Sequence, residues 1–313
     1  MDLLNYTLSF EWRVLLSLAP GVAVLTYFLS GYVAFRIRFR HAAAPRYPEI
    51  EDRPASELLT RRFRSSLLWT IGPVERCLVR LRISPNALSA VGLLLAAASG
   101  LALAHGRFAL GGWLYLFSGI FDIFDGRVAR ATGRVSPMGR ILDSVGDRYS
   151  EFFFLAGLAW FYADRWVVLV VLVALFGSMM VSYVRARAEA TGATGAVGRF
   201  QRPERLFYLG LPTALAPIPA AIWETGTPPM HWLAVASLVF VAVGANGTAI
   251  GRLIHLLRQT SSTTGAPDKS ATDRARTPPG TAGSSGSPPA QQHRRSLVPA
   301  PSQMQHAEGS RRA

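Results

Sequence analysis

Long uncharged apolar runs alternate along this chain with short, arginine-rich polar stretches. Residues 14–35, 86–104, 166–184, 206–223 and 232–251 each approach the roughly 20 apolar positions that a helix needs to cross a bilayer. Two shorter runs, 108–121 and 152–163, border on aspartates and reach full length when the aspartate-bearing turns are counted as their ends. The pattern predicts an all-α integral membrane protein with one N-terminal span followed by a six-span core helix bundle.

A different periodicity occupies residues 55–82. Leu58, Leu59, Phe63 and Leu67, then Val74, Cys77, Leu78 and Leu81, recur at roughly helical spacing with arginines between them. This is an amphipathic juxtamembrane helix with Trp69 at its middle, expected to lie along the membrane surface and to be bent or divided at Gly72-Pro73. Ser84 can then cap the first core span, and Pro85 suits its first position. From 259 to 313 the chain is rich in Ser, Thr, Pro, Gly, Gln and Arg and nearly empty of bulky apolar residues. Such a tail cannot bury a core and is expected to be disordered. The organisation is thus an N-terminal span (1–40), a linker with the amphipathic helix (41–83), a membrane domain (84–258) and a polar tail (259–313).

Charge orients the bundle. The stretches after residue 35, around 126–140, at 185–205 and from 252 onward are arginine-rich, whereas the intervening turns hold only Arg107, Asp164 with Arg165, and Glu224. Basic loops mark the cytoplasmic side, which puts the N-terminus outside, the C-terminus inside and the aspartates at the cytoplasmic face. The first run is too long for a cleaved signal peptide and lacks its basic leading region. A formal charge of +14 with 50% hydrophobic content suits basic loops on a membrane protein rather than a nucleic-acid binder. The tail arginines can touch anionic membrane lipids. A single cysteine, Cys77, excludes an intramolecular disulfide, and six scattered histidines offer no zinc-site spacing.

The chemistry lies between Asp122 and Asp147, where the chain reads DIFDGRVARATGRVSPMGRILDSVGD. Asp122 and Asp125 are three residues apart and Asp143 and Asp147 four apart, so each pair shares a helix face. Gly139 lies one turn before Asp143 on the same face. Residues 127–137 read as a helix end, a turn and a new start. Two helices facing each other would bring four carboxylates to one site. Acids in a membrane region are costly and usually functional, and four of them need a shared cation. Hard divalent ions take oxygen ligands, and two metals about 3.5–4 Å apart can clamp a phosphoryl group. Missing side chains at the glycines allow a phosphate close approach, and Arg130 offers a planar donor fork for a diphosphate. Pairing with Arg127, Arg130, Arg140 and Arg148 would explain any two of the acids but not the whole set of intervals.

These positions fill the pattern D-x-x-D-G-x-x-A-R-x8-G-x3-D-x3-D, which resembles the signature of the CDP-alcohol phosphatidyltransferases at every fixed position. The resemblance implies transfer of a phosphatidyl group from CDP-diacylglycerol to an alcohol, with release of CMP, at the cytoplasmic face of a bacterial-type membrane. It implies two Mg²⁺ (or Mn²⁺) ions on Asp122, Asp125 and Asp143, with Asp147 as a further ligand or as general base on the acceptor hydroxyl. It also implies nucleotide contacts from Asp122, Gly126, Ala129, Arg130 and Gly139. Residues 84–89, Ser-Pro-Asn-Ala-Leu-Ser, resemble the family's P-N-x-L-[TS] opening of the first core span, which adds Pro85 and Asn86 to those contacts. Members of the family are often homodimers through their spans.

A second cluster bears on the acceptor. Residues 182–189 read SYVRARAE, and 202–205 read RPER. Arginines gathered at one membrane face suit a phosphorylated acceptor, since the guanidinium fork matches phosphate; lipid-headgroup contact is the simpler role for Arg187 and Arg202. The two segments resemble the bacterial phosphatidylinositol-phosphate synthase branch, which implies Ser182, Arg185, Arg205 and Arg252 as contacts to inositol phosphate. Arg185 replaces that branch's lysine, and a comparable S-x-x-R in phosphatidylglycerophosphate synthases keeps glycerol phosphate as the alternative acceptor. With one lysine, Lys269, against 32 arginines, a general arginine bias explains the replacement. A proton-coupled transporter would spread acids near mid-span and often repeat its halves; neither feature is present. Membrane prenyltransferases carry two separate aspartate-rich loops and lack the G-x2-A-R and G-x3-D elements.

Overall fold

A computed structural model describes residues 10–40, 45, 61–191, 200–226 and 228–264. All regular structure among them is helical: α1 (Phe10–Arg38), α2 (Arg61–Arg80), α3 (Pro85–Ala104), α4 (Phe108–Ala131), α5 (Pro137–Phe161), α6 (Val167–Ala190), α7 (Arg202–Leu215), α8 (Pro217–Trp223) and α9 (Trp232–Thr264). Five stretches, Val14–Arg38, Pro85–Ala104, Phe108–Ala131, Val167–Ala190 and Trp232–Gln259, are long and apolar enough to cross a membrane. Leucines and phenylalanines such as Leu94, Phe176 and Leu253 point outward from them, as lipid-facing residues do. The protein is an integral membrane protein.

Two expected spans take other forms. The run at 206–223 is not one straight helix: α7 and α8 meet at Ala216 with a bend of 41°. Pro217 cannot donate to the preceding turn, so the chain breaks there and restarts with proline at a first helical position. α5 is a continuous helix of 25 residues, but its first half carries the charged motif and only its second half is apolar.

Local chemistry sets the helix ends that matter for the site. Ser84 accepts from the Ala87 amide at 3.2 Å and caps α3, with Pro85 in the first position, as expected. α4 does not end soon after Asp125. It runs on to Ala131, because Val128 is fully buried and holds one more turn against the bundle. The reversal falls at Thr132 to Ser136, with Gly133 at φ +66°, a conformation that side chains disfavour. Ser136 then caps α5 by accepting from the Gly139 amide at 3.0 Å.

α3 is the brace of the bundle, packed along both α4 and α5. The α3–α5 contact is backbone to backbone: a Cβ on Gly157 would run into the carbonyl oxygen of Gly100. α7 leans on α4, and α6 on α9. Their shared core includes Tyr115, Phe154, Leu158, Tyr162, Val171 and Leu238. Outside this bundle α1 pairs with α2: Trp69 meets Phe35 and Phe39 edge-on at 5.9 and 6.3 Å, and Tyr27 donates to the Thr70 carbonyl at 2.7 Å. α2 runs through Gly72-Pro73 as one undivided helix, with Val74 and Cys77 exposed along it and Leu81 exposed just past its end. Leu58 and Leu59, most of the linker and the tail beyond Thr264 lie outside the described residues, although α9 continues six residues past the expected boundary at 258.

Gly157→Val is expected to lower the thermal unfolding temperature in detergent, by the equivalent of about 1–3 kcal/mol for an overpacked contact. An unchanged transition would mean that α3 and α5 are not in backbone contact.

Candidate active site

α4 and α5 bring the motif together as its spacing foretells. Carboxylate oxygens of Asp122, Asp143 and Asp147 lie within 4.8 Å of one another. Asp122 and Asp147 are half-buried and Asp143 is exposed, so the cluster opens to one side. Asp125 is buried one turn along α4 and accepts from Ser89 of α3, Oγ to Oδ2, at 2.5 Å. Asp122, Asp125 and Asp143 line one small cleft with Ser89, Gly92, Gly146 and Arg202. Three of the four expected ligands therefore converge directly, and the fourth is turned toward a hydroxyl on a neighbouring helix.

Three carboxylates this close repel one another strongly, and the structure supplies a cation of its own. Arg202, the first residue of α7, bridges them: Nη1 meets Asp122 Oδ2 at 2.5 Å and Nη2 meets Asp147 Oδ1 at 2.8 Å. Arg202, whose sequence context also suits a lipid headgroup, is in the structure the direct partner of the aspartates. Ser89 was likewise passed over. Its place at the end of the P-N-x-L-[TS] pattern was the available signal.

The residues expected around the nucleotide come from three helices, α3, α4 and α5. Gly126 and Ala129 sit within α4, half-buried, and the Arg130 side chain lies over Gly126, where a Cβ would come 3.3 Å from Nη1. Gly139 is in the capped first turn of α5. Pro85 and Asn86 open α3, the first half-buried and the second exposed. The other arginine of the motif helix, Arg127, is held by Glu75 of α2, with Nε at 2.7 Å and Nη2 at 2.6 Å. That contact ties the juxtamembrane helix to the motif.

The acceptor candidates form a second, basic group. Arg252 of α9 is buried and donates through Nη1 to the Val181 carbonyl at 2.8 Å, beside half-buried Ser182. The charges of Arg185 and Arg205 both act on it. Arg185 is exposed and paired with Glu189 of its own helix at 2.8 Å. Arg205, expected to contact the acceptor's phosphate, has its guanidinium engaged within the protein. It is buried in a two-point ion pair with Glu151 of α5, Nε to Oε1 at 2.8 Å and Nη2 to Oε2 at 2.9 Å, and Nη1 donates to the Phe200 carbonyl. Buried charge needs such pairing. Glu151 went unread although it follows Asp147 by one helical turn on the same face.

An oxygen-only donor set from three carboxylates beside an open face fits a hard divalent metal, and no softer ligand lies among them. Together with the complete motif on a helical membrane bundle, this fits a metal-dependent membrane enzyme. The chain belongs to the CDP-alcohol phosphatidyltransferase family, whose pattern it matches over residues 82–245. It is 33% identical over 182 residues to the phosphatidylinositol phosphate synthase of Mycobacterium marinum, covering 56% of this chain and 78% of that protein. It is 38% identical over 141 residues to the archaetidylinositol phosphate synthase of Pyrococcus horikoshii, covering 44% and 74%. Among solved structures, the phosphatidylinositol phosphate synthase of Mycobacterium tuberculosis with CDP-DAG bound superposes with a TM-score of 0.51 at 29% identity, over 59% of this chain and 92% of that one. The same enzyme in complex with manganese and citrate gives 0.52 at 29% identity, over 59% and 88%.

Glu151→Ala is expected to cost about 3–5 kcal/mol of stability, because it leaves the Arg205 charge buried and alone. The double change Glu151→Leu with Arg205→Met should recover most of it in the same unfolding measurement. Equal losses in both variants would mean the pair is not what the site rests on.

Proposed function

We propose that this protein transfers the phosphatidyl group of CDP-diacylglycerol to inositol phosphate, releasing CMP, at the cytoplasmic face of the membrane. The observation that carries the reading is the convergence of Asp122, Asp143 and Asp147 beside a group of arginines on α6, α7 and α9. The names of the most similar relatives support inositol phosphate ahead of glycerol phosphate. The arginine-rich ends of the spans support the cytoplasmic orientation.

Asp122, Asp143 and Asp147 would hold the metal, with Asp125 joining them after its carboxylate turns from Ser89. Two Mg²⁺ or Mn²⁺ ions, when bound, would neutralise the diphosphate and stabilise the leaving CMP. Gly126, Ala129, Arg130 and Gly139, with Pro85 and Asn86, would contact the cytidine diphosphate. Lipid chains would enter between the spans. Ser182, Arg185 and Arg252 would receive the acceptor's phosphate, leaving its hydroxyl to approach the lipid-side phosphorus. Asp147, the deeper acid of the second pair, would accept the hydroxyl proton, which requires it within hydrogen-bond reach. Arg205, paired with Glu151, would form a fixed side of that pocket. Positioning and charge neutralisation would supply most of the rate.

Purified protein supplied with CDP-diacylglycerol and Mg²⁺ should release CMP with inositol phosphate, and not with inositol, serine or glycerol phosphate. Release with glycerol phosphate alone would reassign the acceptor; release with none would remove the reaction class. Asp143→Asn should abolish CMP release while leaving the unfolding transition in place. Arg185→Ala is expected to raise the KM for inositol phosphate roughly tenfold, the loss of one charge-assisted contact, with KM for CDP-diacylglycerol unchanged. Matching increases for both substrates would argue against a separate acceptor pocket.

A further inference from the structure

Arg202 stands between two groups of opposite charge. On one side its two terminal nitrogens are spent on Asp122 and Asp147, two members of the three-carboxylate cluster. On the other its charge acts on Arg205, which with Arg185 acts on Arg252. The oxygens it holds, Asp122 Oδ2 and Asp147 Oδ1, are ones a divalent ion at this cluster would draw on. Mg²⁺ sits about 2.0–2.1 Å from each ligand oxygen, so a guanidinium held on the same two carboxylates would meet its double positive charge at close range. Metal and Arg202 therefore compete for the same acids.

We infer that Arg202 is a built-in counter-cation of the carboxylate site, displaced when divalent metal loads, and that its freed guanidinium then turns to the phosphate of the acceptor. The inference rests on the metal site and the phosphorylated acceptor proposed above. Before metal binds, the guanidinium offsets the mutual repulsion of Asp122, Asp143 and Asp147 and keeps α4, α5 and α7 in register. Once displaced, it is a half-buried cation facing other arginines, an arrangement that only a new anion relieves. A phosphate matches its planar fork and lies in the adjoining basic group. Metal binding and acceptor binding are thereby coupled through one side chain, each tightening the other by the same factor.

The test is Mn²⁺ binding to the purified protein, read by the loss of the free-ion EPR signal, without CDP-lipid. R202Q should bind Mn²⁺ roughly tenfold more tightly than the unaltered protein, since no resident cation has to leave. R202K should fall between the two, because one ammonium cannot bridge both carboxylates as the fork does. Inositol phosphate should tighten Mn²⁺ binding to the unaltered protein and have no such effect on R202Q. If D143N loses Mn²⁺ while R202Q binds no more tightly than the unaltered protein, the inference is overturned and the metal site stands. If D143N binds Mn²⁺ normally, the metal site falls and takes the inference with it. Should R202Q not fold, R202K decides, and an affinity at or below that of the unaltered protein overturns the inference.

Discussion

Mutual repulsion among Asp122, Asp143 and Asp147 is the constraint around which the rest of this protein is arranged. Carboxylate oxygens within 4.8 Å of one another, at the end of a membrane bundle, separate unless packing and opposite charge hold them. Packing comes from α3, which lies along both acid-bearing helices and meets α5 backbone to backbone at Gly100 and Gly157. Charge comes from Arg202, carried in from a distant part of the sequence by α7. Arg202 offsets that repulsion, and the oxygen-only donor set suits a hard divalent ion in its place.

Polar contacts radiate from the cluster, and each secures a different helix. Ser89 fixes Asp125 to α3, Glu151 fixes Arg205 and hence α7 to α5, and Glu75 fixes Arg127 and hence α4 to the juxtamembrane helix. Arg252 in turn ties α9 to α6 through the Val181 carbonyl. The apolar core is built from other residues, with Tyr115, Phe154 and Leu158 in one cluster with Val171 and Leu238. The division is physical. Apolar surface gives little selectivity for one helix neighbour over another among lipid chains, whereas a paired charge or a buried hydroxyl does.

Much of the fold was legible because transbilayer helices announce themselves by length and apolar content alone. The motif was legible for a related reason: Asp122 with Asp125, and Asp143 with Asp147, are close in sequence, and helical spacing decides which way they face. Legibility failed where distant residues had to meet. Nothing local in residues 202–205 says that Arg202 reaches the aspartates while Arg205 buries itself against Glu151. Ser89 read as part of a capping sequence because its partner, Asp125, lies 36 residues on. The bend at Ala216 was masked because both halves of that run are equally apolar, although Pro217 was the mark of it.

The sequence by itself determined the number and nature of most spans, the four aspartates and their pairing by helix face, the capped start of α3, the new helix start near Pro137, and the family. All of these depend on neighbours within a few turns, where backbone geometry leaves few choices. Only the tertiary structure decided that three aspartates converge while Asp125 turns to Ser89, and that one arginine of the RPER segment guards the acids while the other is locked away. Those outcomes turn on which charges meet across helices. Close packing and the cost of an unpaired buried charge select among several electrostatically reasonable partners, and no local spacing encodes that choice.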